Sequence, residues 1–386
     1  MAVRVCQVSL STIDNDPRVL RAISTLEVNG YEVAPVGYGY GLSAQSMTLT
    51  QKIAIALRKL PSNIFPAYWS EIAYWMKLEN RKLYELILKH KPDIIHAHDW
   101  NTLPAAASAA RKLGAKLIYD SHEYAVGQRQ HRFFWRLVYP SYVRDLEEQY
   151  IRSTNHVITV SNGLAELLQK NFDLDKRPTV LRSVPTYTAV PFRKANPEQI
   201  LIHYHGIFSQ GRGLGNLIRS APLWPEHFFL RLTGWGQPPR IEAELKRLVE
   251  QLKIGHRVTF AKPVPHEQLI SHASEADIGI CFWGGDTLQL KYALPNKLFE
   301  YSMAGLMSIN GPSVELKSFV DQYKHGISLL DNQPETLAQA LKTLTSDQVS
   351  AYKRRALKAG AALCWEREQD ILLSIYEEVN VSRTQR

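Results

Sequence analysis

The sequence predicts an α/β protein built from two doubly wound domains. Three observations predict it. Short apolar runs alternate with helical periods along the chain, a proline-marked stretch without period interrupts them near the middle, and each side of that break can hold a full sheet. A chain of 386 residues fits two domains.

The elements justify this in order. "VRVCQVSL", "YEVAPVGY", "DIIHAH", "AKLIYDS" and "HVITVS" are strand candidates of the first half. "ILIHYHGIF", "HFFLRLTG", "HRVTFAK" and "ADIGICFW" are those of the second. Between them lie helical periods such as "PRVLRAISTLEVNG", "LPAAASAARKLG" and "PRIEAELKRLVEQLK". The N-terminus reads as the first strand and not as a signal peptide, because it lacks a long apolar core and a small-residue cleavage site. "RSVPTYTAVPFRKANPEQ" carries Pro185, Pro191 and Pro197 and reads as a linker. The expected boundaries are 1–185 for the first domain, 186–199 for the linker, 200–360 for the second domain and 361–386 for a C-terminal helical segment.

Composition bounds the partners. Hydrophobic residues make up 45% and charged residues 22%, enough apolar content for full cores. The formal net charge of +9 favours anionic partners without choosing among phosphates, nucleic acid and acidic lipid. Three cysteines without metal-ligand spacing read as buried thiols in a reducing, cytoplasmic compartment. No run reaches the length of a membrane span. The segment from Lys52 to Lys91 is helical, aromatic and basic, with Tyr68, Trp69, Ile72, Trp75 and Met76 on one stripe, and "RQHRFFWRLVYPSYVR" is of similar character. Such stretches suit an anionic membrane surface or a lipid-linked acceptor, and equally a core-facing helix edge.

Candidate chemistry begins at "PNKLFEYSMAG". Lys297 falls in the first turn of a helix, where the backbone dipole disfavours a cation by about 0.3–1 kcal/mol. An anion bound there would offset the cost, since free N–H groups at a helix start take phosphates. Glu300, one turn on, suits the paired hydroxyls of a ribose or sugar, while the bland alternative is a solvated Lys297–Glu300 pair. A second anion-shaped turn is "HGIFSQGRGLGNLI", where Gly206 ends a strand and Arg212 offers forked donors. In the first half, His98 and Asp99 end one strand, and Asp120, His122 and Glu123 end another, which makes His122 a candidate hydrogen-bonding or proton-handling group. "DND" at Asp14 to Asp16 precedes Pro17 and reads as a helix cap, so no protein-bound metal is expected.

In combination these motifs resemble glycosyltransferase family 4, retaining nucleotide-sugar enzymes of the GT-B fold. "PNKLFEYSMAG" resembles that family's signature, "DNDPRVLRAISTLEVNGYEVAPVG" its opening strand, loop and helix, and "DIIHAHDW" and "YDSHE" its later strand ends. "YHGIFSQGRGLGNLI", "LRLTGWG" and "VTFAKPVPHEQLISHASEADIGICF" follow its second domain in order. The resemblance implies two Rossmann-like domains around a cleft, the first for the acceptor and the second for a nucleoside-diphosphate sugar, which is a co-substrate and not a bound cofactor. Carried over, His122, Arg212 and Lys297 are catalytic. Gly206, Arg212, Asn296, Lys297 and Glu300 bind the donor, and Asp16, Arg18, His98, Asp120 and Glu123 meet the acceptor or the sugar.

A glycan or lipid-linked acceptor in polysaccharide assembly, at the inner face of a membrane, fits the family and the amphipathic segment. Many members carry a second glutamate eight positions before the one matching Glu300; here that position is Tyr292, and Gly284, Gly285 and Asp286 are candidate substitutes. A nucleotide-sugar isomerase of the 2-epimerase kind shares the architecture and needs no acceptor. A nucleic-acid-binding protein is disfavoured, because no such module is present and the charge is not banded.

Overall fold

A computed structural model describes residues 2–42, 68–127, 133–283 and 287–384. The chain forms two compact units, Met1–Arg182 with Gln369–Arg386, and Ser183–Glu368.

The first unit is a parallel sheet in the order β3-β2-β1-β4-β5-β6-β7. Its strands are β1 (Arg4–Thr12), β2 (Glu32–Tyr38), β3 (Gly41–Leu42), β4 (Ile94–His98), β5 (Lys116–Ser121), β6 (His156–Thr159) and β7 (Thr179–Val180). Helices α1 (Pro17–Val28), α2 (Tyr68–Trp75), α3 (Leu78–His90), α4 (Leu103–Leu113), α5 (Phe133–Ile151) and α6 (Asn162–Phe172) connect them. The central strands β4 and β5 are buried on both faces, so they read as apolar runs. The alanine-rich α4 lets helix and sheet approach closely, and Ala105, Ala106 and Ala109 are fully buried beside Ile95 and Leu117. The strand order reverses between β1 and β4, and ligands of such sheets sit at the carboxyl ends of the strands flanking that point. Register places His98 of β4 beside Asp120 of β5 and Gln7 of β1 beside His96 of β4.

The second unit repeats the plan in the order β10-β9-β8-β11-β12-β13, again all parallel. The strands are β8 (Ile200–His205), β9 (Phe228–Thr233), β10 (Val258–Ala261), β11 (Ile278–Cys281), β12 (Met307–Asn310) and β13 (Gly326–Ser328). The helices are α7 (Leu214–Ser220), α8 (Arg240–Gln251), α9 (Leu269–Ser274), α10 (Leu288–Tyr292), α11 (Asn296–Met303), α12 (Val314–Tyr323), α13 (Pro334–Lys342) and α14 (Ser346–Ala362). The switch lies between β8 and β11, whose carboxyl ends carry His205 and Cys281. A last helix, α15 (Trp365–Thr384), supplies Tyr376 to the first unit's core, where its ring meets Tyr31 edge-on.

Strands β3, β7, β12 and β13 escaped the sequence reading. They have two to four residues each, and β12 follows α11 after only Ala304, Gly305 and Leu306. Arg182 to Gln199 holds no helix or strand, only an isolated bridge between Asn196 and Gln199. All three cysteines are free and buried. Residues 52–67 of the amphipathic segment, residues 129–132 of its second counterpart, and Gly284, Gly285 and Asp286 lie outside the described residues. In the described part, Ile72 is exposed, whereas Trp75 packs edge-on against Tyr74 and Tyr84, so α2 uses part of its stripe for the core. Among the described residues no helix is long and apolar enough to cross a membrane.

Candidate active site

In the first unit the site is assembled from the start of α1. Asp16 caps this helix, accepting from the backbone N–H groups of Arg18 and Val19, and Pro17 opens it. The cap aims Arg18 at the end of β5. Its guanidinium donates from Nε to Asp120 Oδ2 at 2.8 Å and from Nη2 to Oδ1 at 2.9 Å, and Nη1 donates to the carbonyl of Leu181 at 2.9 Å. Both partners are almost wholly buried. Burial would raise the Asp120 carboxyl, but Arg18 and then His122 reverse this and hold it well below the usual carboxylate range.

Histidines surround that carboxylate. His96 and His98 share a face of β4 with stacked rings 4.3 Å apart. His98 Nδ1 lies 3.1 Å from His122 Nε2, and its Nε2 lies 2.7 Å from Gln7 Oε1. His122 Nε2 is 3.3 Å from Asp120 Oδ2, and its Nδ1 is 3.6 Å from Asp99 Oδ2. Burial would lower His122, yet Asp99 and Asp120 together hold its imidazolium up to about 9. Burial, with His122 next to it, keeps His98 below its ordinary value and neutral. The tautomers follow from the network: cationic His122 donates to His98 Nδ1, and His98 donates from Nε2 to Gln7. The Tyr376 hydroxyl, 2.9 Å from both His96 Nδ1 and Gln7 Nε2, closes the far side.

His122 is the partly exposed histidine of this group. Glu123 is exposed on the loop, where its carbonyl accepts from Ser121. His96, His98 and Asp120 also place one possible metal-ligand atom each within 4.8 Å of one another. Those atoms face Arg18 and His122, whose charges already answer the carboxylate, so the donor set fits a protonated network better than a dication.

In the second unit the site gathers around the ends of β8 and β11. Lys297 is the second residue of α11, whose cap, Pro295, makes no side-chain hydrogen bond. Lys297 and Glu300 are only 9% and 7% exposed, so the solvated pair is not what forms. Glu300 turns to His205, with Oε2 2.7 Å from Nε2. Burial pushes this carboxyl up, but the His205 hydrogen bond, with Lys297 nearby, brings it below its ordinary value. The Lys297 Nζ lies 3.7 Å from the centre of the Tyr204 ring. Arg212 lies 5.1 Å from the centre of the Trp283 ring. Among the described residues neither cation has a carboxylate within ion-pair reach.

Two glycines shape this corner. Gly206 adopts φ +117°, and a Cβ there would stand 3.5 Å from the Lys297 amino group. Gly213 caps α7 at φ +72°, and a Cβ would strike the Phe282 carbonyl at 1.7 Å. Asn296 is exposed at the first position of α11. Of the expected donor residues, Gly206 faces the Lys297 amino group, Arg212 shares the Trp283 ring with Lys297, and Glu300 is turned to His205. The sequence reading missed His205, Tyr204 and Trp283. The available signal was "HYH", polar rings alternating on a strand otherwise buried on both faces.

Two parallel, doubly wound domains in tandem, each with charged groups at the carboxyl ends of its strands, make this a GT-B fold. Residues 18–183 match the family described as Glycosyltransferase Family 4, and residues 199–347 match Glycosyl transferases group 1. The chain belongs to the family-4 type of nucleotide-sugar glycosyltransferases. Sucrose-phosphate synthase from Thermosynechococcus elongatus is similar, with TM-score 0.75 at 14% identity over 98% of this chain and 100% of that one. A glycosyltransferase from Rickettsia africae ESF-5 gives TM-score 0.70 at 15% identity over 98% of both chains. HepE of Anabaena, in complex with UDP and glucose, gives TM-score 0.69 at 12% identity over 97% of this chain and 100% of that one. No curated protein matches in sequence.

Proposed function

We propose that the protein is a retaining glycosyltransferase that moves a sugar from a nucleoside diphosphate to a glycan acceptor of the lipid-linked or surface-polysaccharide class. The observation that carries this reading is the pair Arg212 and Lys297, two cations seated on aromatic rings with no carboxylate partner among the described residues. Such a pair has positive charge to spare for a diphosphate. In the reaction, the bond from the anomeric carbon to the phosphate oxygen breaks, and its electron pair stays on the diphosphate. Arg212 and Lys297 stabilise that developing charge. The acceptor hydroxyl attacks the same face of the anomeric carbon, and its proton passes to a phosphate oxygen of the leaving group. Glu300, steadied by His205, takes the ribose hydroxyls. His122 donates a hydrogen bond to the sugar or its acceptor, and Asp16, Arg18, His98 and Asp120 hold it in place.

Replacing either Arg212 or Lys297 with alanine is expected to slow transfer at least ~10²-fold, as for loss of one preorganised donor to a developing oxyanion. Near-normal rates in both variants would refute the assignment. The anomeric configuration of the product, read by nuclear magnetic resonance, tests retention. An epimerised nucleotide sugar formed without acceptor would instead favour the isomerase. The lipid-linked acceptor is supported by the basic charge of the chain and by the exposed Ile72 on α2. Co-sedimentation with anionic vesicles is expected and should weaken at high salt; no difference between anionic and neutral vesicles would remove that support.

A further inference from the structure

We infer that Trp283 is a positioning residue for the diphosphate, a buried ring that holds Arg212 and Lys297 side by side without neutralising either; this rests on the donor-site reading above. The common remedy for a buried first-turn cation is a carboxylate, as Arg18 shows with Asp120. A carboxylate beside Lys297 would cancel its charge and repel a phosphate. The nearest acid on its helix, Glu300, is turned away to His205. Ring faces take the carboxylate's place. Among the described residues one cation, Lys297, sits on the Tyr204 ring, while the Trp283 ring lies 5.1 Å from the Arg212 guanidinium carbon and 6.0 Å from the Lys297 amino group. A ring quadrupole attracts a cation without carrying net charge, and indole does so best.

Two further observations favour a role beyond filling space. Trp283 is 1% exposed, and its indole N–H is buried without a hydrogen-bond partner among the described residues. Phenylalanine or leucine would fill a core without stranding that donor, so the indole is kept against a local cost. The backbone there is also tightly set. A Cβ on Gly311, just after β12, would lie 2.2 Å from the Trp283 carbonyl, so the neighbouring chain presses directly on it.

The test is calorimetric binding of UDP, GDP and their nucleosides to the full chain and to variants with substitutions at position 283. Trp283→Leu is expected to weaken the preferred diphosphate about tenfold and leave the matching nucleoside unchanged, with Trp283→Phe in between. Equal weakening of diphosphate and nucleoside, or no weakening of either, would overturn the inference. Should Trp283→Leu fail to fold, tryptophans bearing one to four fluorines at position 283 keep the shape and drain the ring face. Diphosphate affinity should then fall with each fluorine, and a flat series overturns the inference. Loss of binding in Arg212→Ala and Lys297→Ala, with none in the Trp283 series, would defeat this inference alone. A wild-type chain that binds diphosphates no better than nucleosides would defeat the donor-site reading and this one with it.

Discussion

Arg18 and Lys297 occupy the same position, second in the first turn of a helix, and each is nearly buried. Arg18 has a carboxylate locked to it on two sides and Lys297 has none. Opposite consequences follow. Asp120→Asn leaves the Arg18 charge stranded and should cost about 3–5 kcal/mol of stability, seen as a lower urea midpoint. Lys297→Met removes a desolvated charge from an aromatic seat and should leave the ligand-free midpoint unchanged or higher, while transfer fails. His122 gives a pH prediction of definite sign. Its imidazolium is held up to about 9, above its ordinary 6.5, by Asp99 and Asp120 against burial and Arg18. The stability it contributes is therefore complete below pH 6.5 and is lost as pH rises through about 9. His122→Gln should flatten the fall in urea midpoint across that window; an unchanged slope would show that His122 is not the charged group.

At the scale of elements, both sites depend on how a helix starts. The Asp16 cap fixes the line along which Arg18 reaches β5, and Asp16→Ala should cost about 1 kcal/mol by chemical denaturation. Gly213 matters more to the second site, because its αL conformation and its contact with the Phe282 carbonyl leave no room for a side chain. Gly213→Ala should cost about 1–3 kcal/mol and displace Arg212, so diphosphate binding should weaken along with the urea midpoint. Helix starts were also what the sequence displayed best. Asp16 before Pro17, the run after Gly206, and Pro295 before Lys297 are local patterns, and the apolar strands between them are equally local. The side-chain partners were not legible. Arg18 and Asp120 are 102 positions apart, and His205 and Glu300 are 95 apart. Only the packing of a helix start against a distant strand end brings such residues together, and no single-sequence pattern encodes that packing. Lys297 and Glu300 were visible as neighbours in sequence, yet their true companions, Tyr204 and His205, lie on the distant strand β8.

At the scale of the whole molecule, each unit collects charged and aromatic side chains at the carboxyl ends of its own parallel sheet, and the two collections differ in kind. The first is a charge-balanced network in which the Asp120 carboxylate is answered by the Arg18 guanidinium and surrounded by three imidazoles, of which His122 is partly exposed. The second is open, with positive charge resting on rings. A charge-balanced network suits orientation of a neutral sugar or alcohol, and an open one suits capture of an anion. The most direct measurement is a crystal structure with the preferred nucleoside diphosphate bound. The diphosphate should lie within hydrogen-bond reach of both Arg212 and Lys297, with the ribose hydroxyls on Glu300. Density remote from these three residues would contradict the account.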